Sequence, residues 1–114
     1  MTVDDFREFA LSLPEAIESS HMNHPDFRIG GKVFATLGYP DSEHAVVILD
    51  LEQQAKFVAA SPKTFAVVKG FWGKRGATQI RLANATRANL RAALGAAWRR
   101  SAPKRLSGAK TDAG

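Results

Sequence analysis

The chain has no cysteine, a single tyrosine and two tryptophans, and in its 114 residues no apolar run exceeds the five of Ala45–Leu49. Without thiols there is no disulfide framework, no thiolate nucleophile and no cysteine metal site, which fits a reducing, cytoplasmic setting. A bilayer-crossing helix needs about 20 apolar residues, so no membrane span is expected. No basic segment followed by an apolar one opens the sequence, so no secretory leader is expected either. The scarcest feature of all is negative charge beyond residue 52. Residues 53–114 hold one acid, Asp112, against thirteen lysines and arginines, a net of +12. Residues 1–52 hold ten acids against three bases (Arg7, Arg28 and Lys32), a net of −7. A division this sharp would draw phosphate to the second half and repel it from the first.

What is present is ordinary material for one globular domain: 45% hydrophobic and 24% charged residues, in a chain long enough to bury its own core. Residues 2–13 read as a helix capped by Thr2, with Asp4 and Asp5 in its first turn and Val3, Phe6, Phe9, Ala10 and Leu13 as its apolar stripe; Pro14 ends it. The period then shortens. A strand is expected near 16–22, a break at Asn23–Asp26, and a hairpin of 27–29 and 32–37 turning on Gly30-Gly31. Gly38–Ser42 is a turn, and 44–49 a strand rich in β-branched residues. Asp50 caps a helix over about 51–60, with Leu51, Ala55, Val58 and Ala59 as its apolar face. Strands at 65–68 and 79–82 flank a Gly-rich basic stretch, Lys69–Gly76. A last helix over about 86–101, capped by Thr86, buries Leu90, Ala93, Leu94, Ala97 and Trp98. This order predicts an α+β fold with an antiparallel sheet and three helices, forming one domain over 1–103 followed by a basic, flexible tail over 104–114.

The run His24-Pro25-Asp26-Phe27-Arg28-Ile29-Gly30-Gly31-Lys32-Val33-Phe34-Ala35-Thr36-Leu37 resembles the MmcQ/YjbR-like family. Leu11–Ala16, Trp72–Thr78, Ala97–Arg100 and Ala102–Arg105 match as well, so the resemblance spans about residues 3–106. It implies a compact α+β domain whose β-hairpins project as a double wing, and a DNA-binding role. The chain departs from the family at Ala77, where an aromatic residue is common. That aromatic either packs the sheet, in which case its loss is minor, or stacks on a ligand, in which case a contact is gone.

Four groups of residues compete as sites. In the basic stretch, Lys69, Lys74 and Arg75, with Arg81 on the following strand, suit phosphates, and an exposed Phe71 or Trp72 would stack on a base; large aromatics are, however, more often core. On the last helix Arg87, Arg91 and Arg99 align, with Arg100, Lys104 and Arg105 beyond; these could instead pair with the acidic half. His21-x-x-His24-x-Asp26 has the residue types of a metal site, but residues three apart on one strand face opposite ways, so His24 is expected to anchor the turn and Asp26 to cap backbone amides. Ser19-Ser20-His21 and the acids Glu15 and Glu18 make no nucleophile–base–orienter set, so neither catalysis, a metal nor a cofactor is expected.

The leading expectation is therefore a non-enzymatic protein that makes weak, largely sequence-independent contact with double-stranded DNA through Arg28, Lys32, Lys69, Lys74, Arg75 and Arg81. The alternative is a small-molecule or protein-interaction module, favoured if a concave apolar pocket adjoins the basic stretch. In a third reading the two halves neutralise each other.

Overall fold

The computed structural model describes residues 1–106. Its elements run α1 (Val3–Leu11), β1 (Ile17–His21), β2 (His24–Ile29), β3 (Lys32–Leu37), β4 (His44–Ile48), α2 (Leu51–Ala60), β5 (Phe65–Val67), α3 (Phe71–Lys74), β6 (Ala77–Arg81) and α4 (Arg87–Ser101), with one 3-10 turn at Leu82–Asn84. The α+β architecture expected from the sequence is the one observed: six antiparallel strands in the order β1-β2-β3-β4-β6-β5, with three longer helices. The basic stretch is more ordered than its glycines suggest, since Phe71–Lys74 form the one-turn helix α3.

The caps follow from side-chain chemistry. Thr2 and Asp5 form a reciprocal capping box at α1, Thr86 and Asn89 form another at α4, and Asp50 accepts from the Gln53 N–H at 2.7 Å to start α2. Two tight turns set the register of the first three strands. Gly30 and Gly31, at φ 58° and 81°, join β2 to β3 as expected. The preceding turn is Met22-Asn23, at φ 47° and 68°, so the break lies earlier than the sequence suggests, and β2 begins at His24 and includes Pro25.

Strand alternation gives the sheet two faces. α1 and α4 cover one, burying Phe6, Phe9, Phe27, Phe34, Leu90 and Leu94 at 0–7% exposure. A bulge between Phe27 and Arg28 pairs them with Ala35 and Val33, so Phe34 and Ala35 both join this core while Val33 turns to the opposite face. That opposite face carries a smaller cluster of Val46, Val68 and Ala77, with Tyr39 and Ile48 against it. The face of α2 is not the expected one: Leu51, Ala55 and Ala59 are exposed, whereas Gln54 is buried and Phe57 and Val58 pack on the core. Gln54 Nε2 donates to the carbonyls of Gly73 (3.0 Å) and Ala77 (3.1 Å), pinning α3 to the sheet.

The tail assigned from the sequence begins inside the described residues: a further helical turn starts at Lys104, and Arg105 donates to both oxygens of Glu15 at 2.9 and 2.7 Å. Residues 107–114 of that tail lie outside the described residues.

Candidate ligand-binding cleft

On the sheet face left open by α1 and α4 lies a cleft of about 600 Å³. Its floor is Arg28, Val33, Thr36 and Ile48 from β2, β3 and β4; Phe71, Trp72 and Arg75 form one wall, and His21 and Arg100 also line it. Cross-strand register explains the floor. Asp26 stands opposite Thr36 and Arg28 opposite Val33, so the four side chains share a face.

Asp26 organises this floor. It is fully buried, and its carboxylate accepts from Arg28 Nε (2.8 Å), Arg28 Nη2 (3.0 Å) and His21 Nδ1–H (2.6 Å). The Arg28 hydrogen bonds hold the Asp26 carboxyl below the usual carboxylate range against the opposing pull of burial, and Arg28 is correspondingly harder to deprotonate. Arg28 thus spends Nε and Nη2 on the protein, while Nη1 makes no hydrogen bond among the described residues and the side chain lines the cleft. Asp26 is no backbone cap, contrary to expectation. His21 and His24 sit on different strands as cross-strand partners, ring centroids 6.4 Å apart, so the same-strand argument that separated them does not apply. Among the described residues no three His, Asp or Glu side chains converge as a metal site requires.

Thr36 also lines the cleft, and nothing in its local pattern singles it out. It is fully buried, and its Oγ1 has no hydrogen-bond partner among the described residues. Ser101 Oγ is orphaned too but does not line the cleft. The aromatics are not core: Phe71 is 72% and Trp72 36% exposed, because α3 lifts them off the sheet to make a wall. Tyr39 meets Trp72 edge-to-face at 5.4 Å, and the Arg75 guanidinium stacks over Phe71 at 5.4 Å.

Of the six residues expected to contact DNA, Arg28 and Arg75 meet in this cleft. Lys32, Lys69, Lys74 and Arg81 are exposed but do not line it; Lys69 borders a smaller hollow beside Tyr39 and Gln79, and Arg81 lies at the far end of β6, opposite His44, whose hydrogen bond chiefly keeps the Asp41 carboxyl below its usual range with a lesser contribution from Arg81. The aligned arginines of α4 divide. Arg87 and Arg91 lie over Phe9 at 5.3 and 5.2 Å, while Arg99 and Arg100 share a small hollow with Asp50, and Arg100 also lines the cleft. Pairing between the halves is sparse. The acidic half uses its own Arg7 and Arg28, and among the described residues Glu15–Arg105 and Glu52–Lys56 are the ion pairs that join the two. Arg75 and Arg100 have no acidic partner there.

The YjbR family model matches residues 11–100, most of the chain and every residue that lines the cleft. The chain belongs to the YjbR family. Deinococcus radiodurans protein DR2400, a crystal structure with a DUF419 family-model domain, is similar in fold: the TM-score is 0.72 at 19% identity, over 87% of this chain and 77% of that one. No curated protein matches the sequence. In this YjbR domain the departure at Ala77 falls on a packing position. Ala77 is fully buried between Val46 and Val68, so its small size belongs to the sheet and not to the cleft wall. No helix among the described residues is long and apolar enough to cross a membrane.

Proposed function

We propose that this YjbR domain is a non-enzymatic binding module whose cleft takes a small anionic molecule with an aromatic or apolar part. One observation carries the reading: three guanidinium groups, from Arg28, Arg75 and Arg100, surround a concave cleft walled by Phe71 and Trp72. Concavity separates this from the flat or convex basic face that a duplex needs, and a few polar groups in an apolar hollow are the usual make-up of a small-ligand site. Asp26, shared between His21 and Arg28, fits a carboxylate that fixes binding groups and not one that moves a proton. The reading is tested by following backbone amide resonances while benzoate, naphthalenesulfonate and phenyl phosphate are added separately. Shifts centred on Arg28, Thr36, Trp72 and Arg75 are expected, and weakened in an Arg75→Gln/Arg100→Gln variant. If none of the three anions moves those resonances, the reading fails.

A second reading, weak and sequence-independent contact with double-stranded DNA, is supported by a separate observation. Lys69, Lys74 and Arg75 stand exposed around Phe71, and no acid among the described residues pairs with them. They would hold phosphates while the aromatic wedges or stacks. Binding of a fluorescent duplex should then weaken as salt rises, and Lys74→Ala/Arg75→Ala should reduce the slope by up to about two phosphate contacts. A duplex that fails to bind at low salt removes this reading and leaves the first untouched.

A further inference from the structure

We propose that the anion taken by the cleft is a phosphomonoester carried on a planar ring, as in a nucleoside monophosphate. The inference rests on the anion-binding reading above and names its ligand class. Three features of the cleft select it.

Charge comes first. Three guanidinium groups stand against the one carboxylate of Asp26, an excess of two positive charges from the arginines alone. A phosphomonoester has its second pKa near 6 and is largely a dianion at pH 7. It matches that surplus, whereas a carboxylate or a sulfonate would leave one guanidinium uncompensated.

The direction of the donors comes second. Thr36 offers a buried hydroxyl with no partner, an orphan that costs stability unless a ligand or water accepts its hydrogen bond. Arg28 Nη1, two residues along the neighbouring strand from the Thr36 partner Asp26, is a second donor on the same floor. Arg75 and Arg100 approach from the α3 wall and the end of α4. Donors supplied by floor, wall and helix end suit the three terminal oxygens of a tetrahedral group better than the two coplanar oxygens of a carboxylate.

The ring comes third. Trp72 is held from one side by the edge-to-face contact with Tyr39, so its exposed surface is oriented in advance, and Phe71 stands beside it. A planar base stacks on such a surface with little loss of side-chain freedom. The phosphate therefore lies toward Thr36 and Arg28, and the ring toward Trp72.

The same chemistry occurs in a free nucleotide and at the 5′-phosphorylated end of a nucleic-acid strand, so the test separates the two. Adenosine 5′-monophosphate, adenosine, benzoate, a 5′-phosphorylated tetranucleotide and its 5′-hydroxyl counterpart are titrated into the isotopically labelled protein. The proposal expects the nucleotide or the phosphorylated strand, or both, to shift Arg28, Thr36 and Trp72 resonances, about tenfold more tightly than adenosine, the hydroxyl-ended strand or benzoate. Whichever of the two phosphate ligands binds more tightly identifies the source. Thr36→Val should weaken the phosphate ligands about tenfold and leave adenosine unchanged; Arg100→Gln, exposed on α4, should do the same. Equal affinity for benzoate and the nucleotide overturns the phosphate assignment while the anion reading stands. Equal affinity for adenosine and the nucleotide overturns it too. If none of the five ligands moves the cleft resonances, the proposal falls, and the anion reading falls with it only when naphthalenesulfonate and phenyl phosphate also fail.

Discussion

A buried hydroxyl without a partner and a buried carboxylate with three donors stand opposite each other on adjacent strands, and they make opposite predictions for stability. Thr36 Oγ1 is desolvated with no partner among the described residues, a situation that costs about 1–3 kcal/mol. Thr36→Val keeps the shape and removes the orphan, so urea unfolding of the ligand-free variant should show a gain of about 1 kcal/mol; a loss of that size would mean that the hydroxyl is already satisfied. Asp26 is the converse. Removing Asp26 should destabilise the fold, because Asp26→Ala takes the partner from Arg28 and frees His21, although Arg28 keeps its access to solvent through the cleft. Because the hydrogen bonds from Arg28 depress the folded-state pKa of Asp26, its contribution is fully present above the ordinary carboxylate range and is lost as pH falls through the depressed folded value. The acid limb of the stability profile should therefore flatten in Asp26→Asn, and an unchanged acid limb would refute the pairing. Neither residue was legible for what it is. The sequence places Asp26 beside Pro25 in an apparent turn, and nothing local distinguishes a cleft-facing Thr36 from any strand threonine. What assigns both is register, set by the turns at Met22-Asn23 and Gly30-Gly31 and by the bulge at Phe27/Arg28.

The helices with strong periodicity, α1 and α4, lie where the sequence places them, because their apolar residues recur at the spacing of a single buried face, and β4 does too because its continuous β-branched run is buried on both faces of the sheet. The elements that build the cleft have no such signal. α3 is a single turn, held by Gln54 and not by an apolar stripe, and α2 buries that glutamine in place of the more apolar Leu51. Gly73 is the reason α3 can sit so low: a Cβ there would come within 1.7 Å of the Val68 carbonyl oxygen. Gly73→Ala should thus cost about 1–3 kcal/mol or more through a backbone shift, and it should lift Trp72 from Tyr39, seen as a change in tryptophan emission. Retention of wild-type stability would show that α3 is not seated as described. The Met22-Asn23 turn makes the converse prediction. Met22 occupies a left-handed conformation that asparagine tolerates better, so Met22→Asn should raise the thermal midpoint, by about 0.5–1 kcal/mol in stability terms. A lowered midpoint would argue against this turn and against the His21–His24 pairing that depends on it.

At the scale of the molecule, the division of charge that is plain in the sequence resolves into separate arrangements. The acids of the first half are partly met by their own neighbours: Asp26 takes Arg28, Glu18 takes Arg7, and Asp41 takes His44. The described cations of the second half are spread over several surfaces, among them the cleft, the Phe9 side of α4, the hollow beside Tyr39 and the end of β6. Net charge was legible from composition; which surface each cation occupies depends on the fold. If the halves neutralised each other, added salt would screen attraction and destabilise the fold. With Glu15–Arg105 and Glu52–Lys56 as the ion pairs between halves among the described residues, both on the surface, that attraction is small, and repulsion among unpaired cations such as Arg75 and Arg100 is the larger effect for salt to relieve. Raising sodium chloride from 20 to 500 mM shortens the screening length from about 20 Å to about 4 Å, so the urea midpoint should rise over that interval. Inorganic phosphate at matched ionic strength should raise it further, because an ion that binds the folded state adds to its stability by mass action. A midpoint that falls with sodium chloride would restore internal pairing as the meaning of the divided charge, and equal effects of phosphate and chloride would place the stabilisation in general screening and not in the cleft.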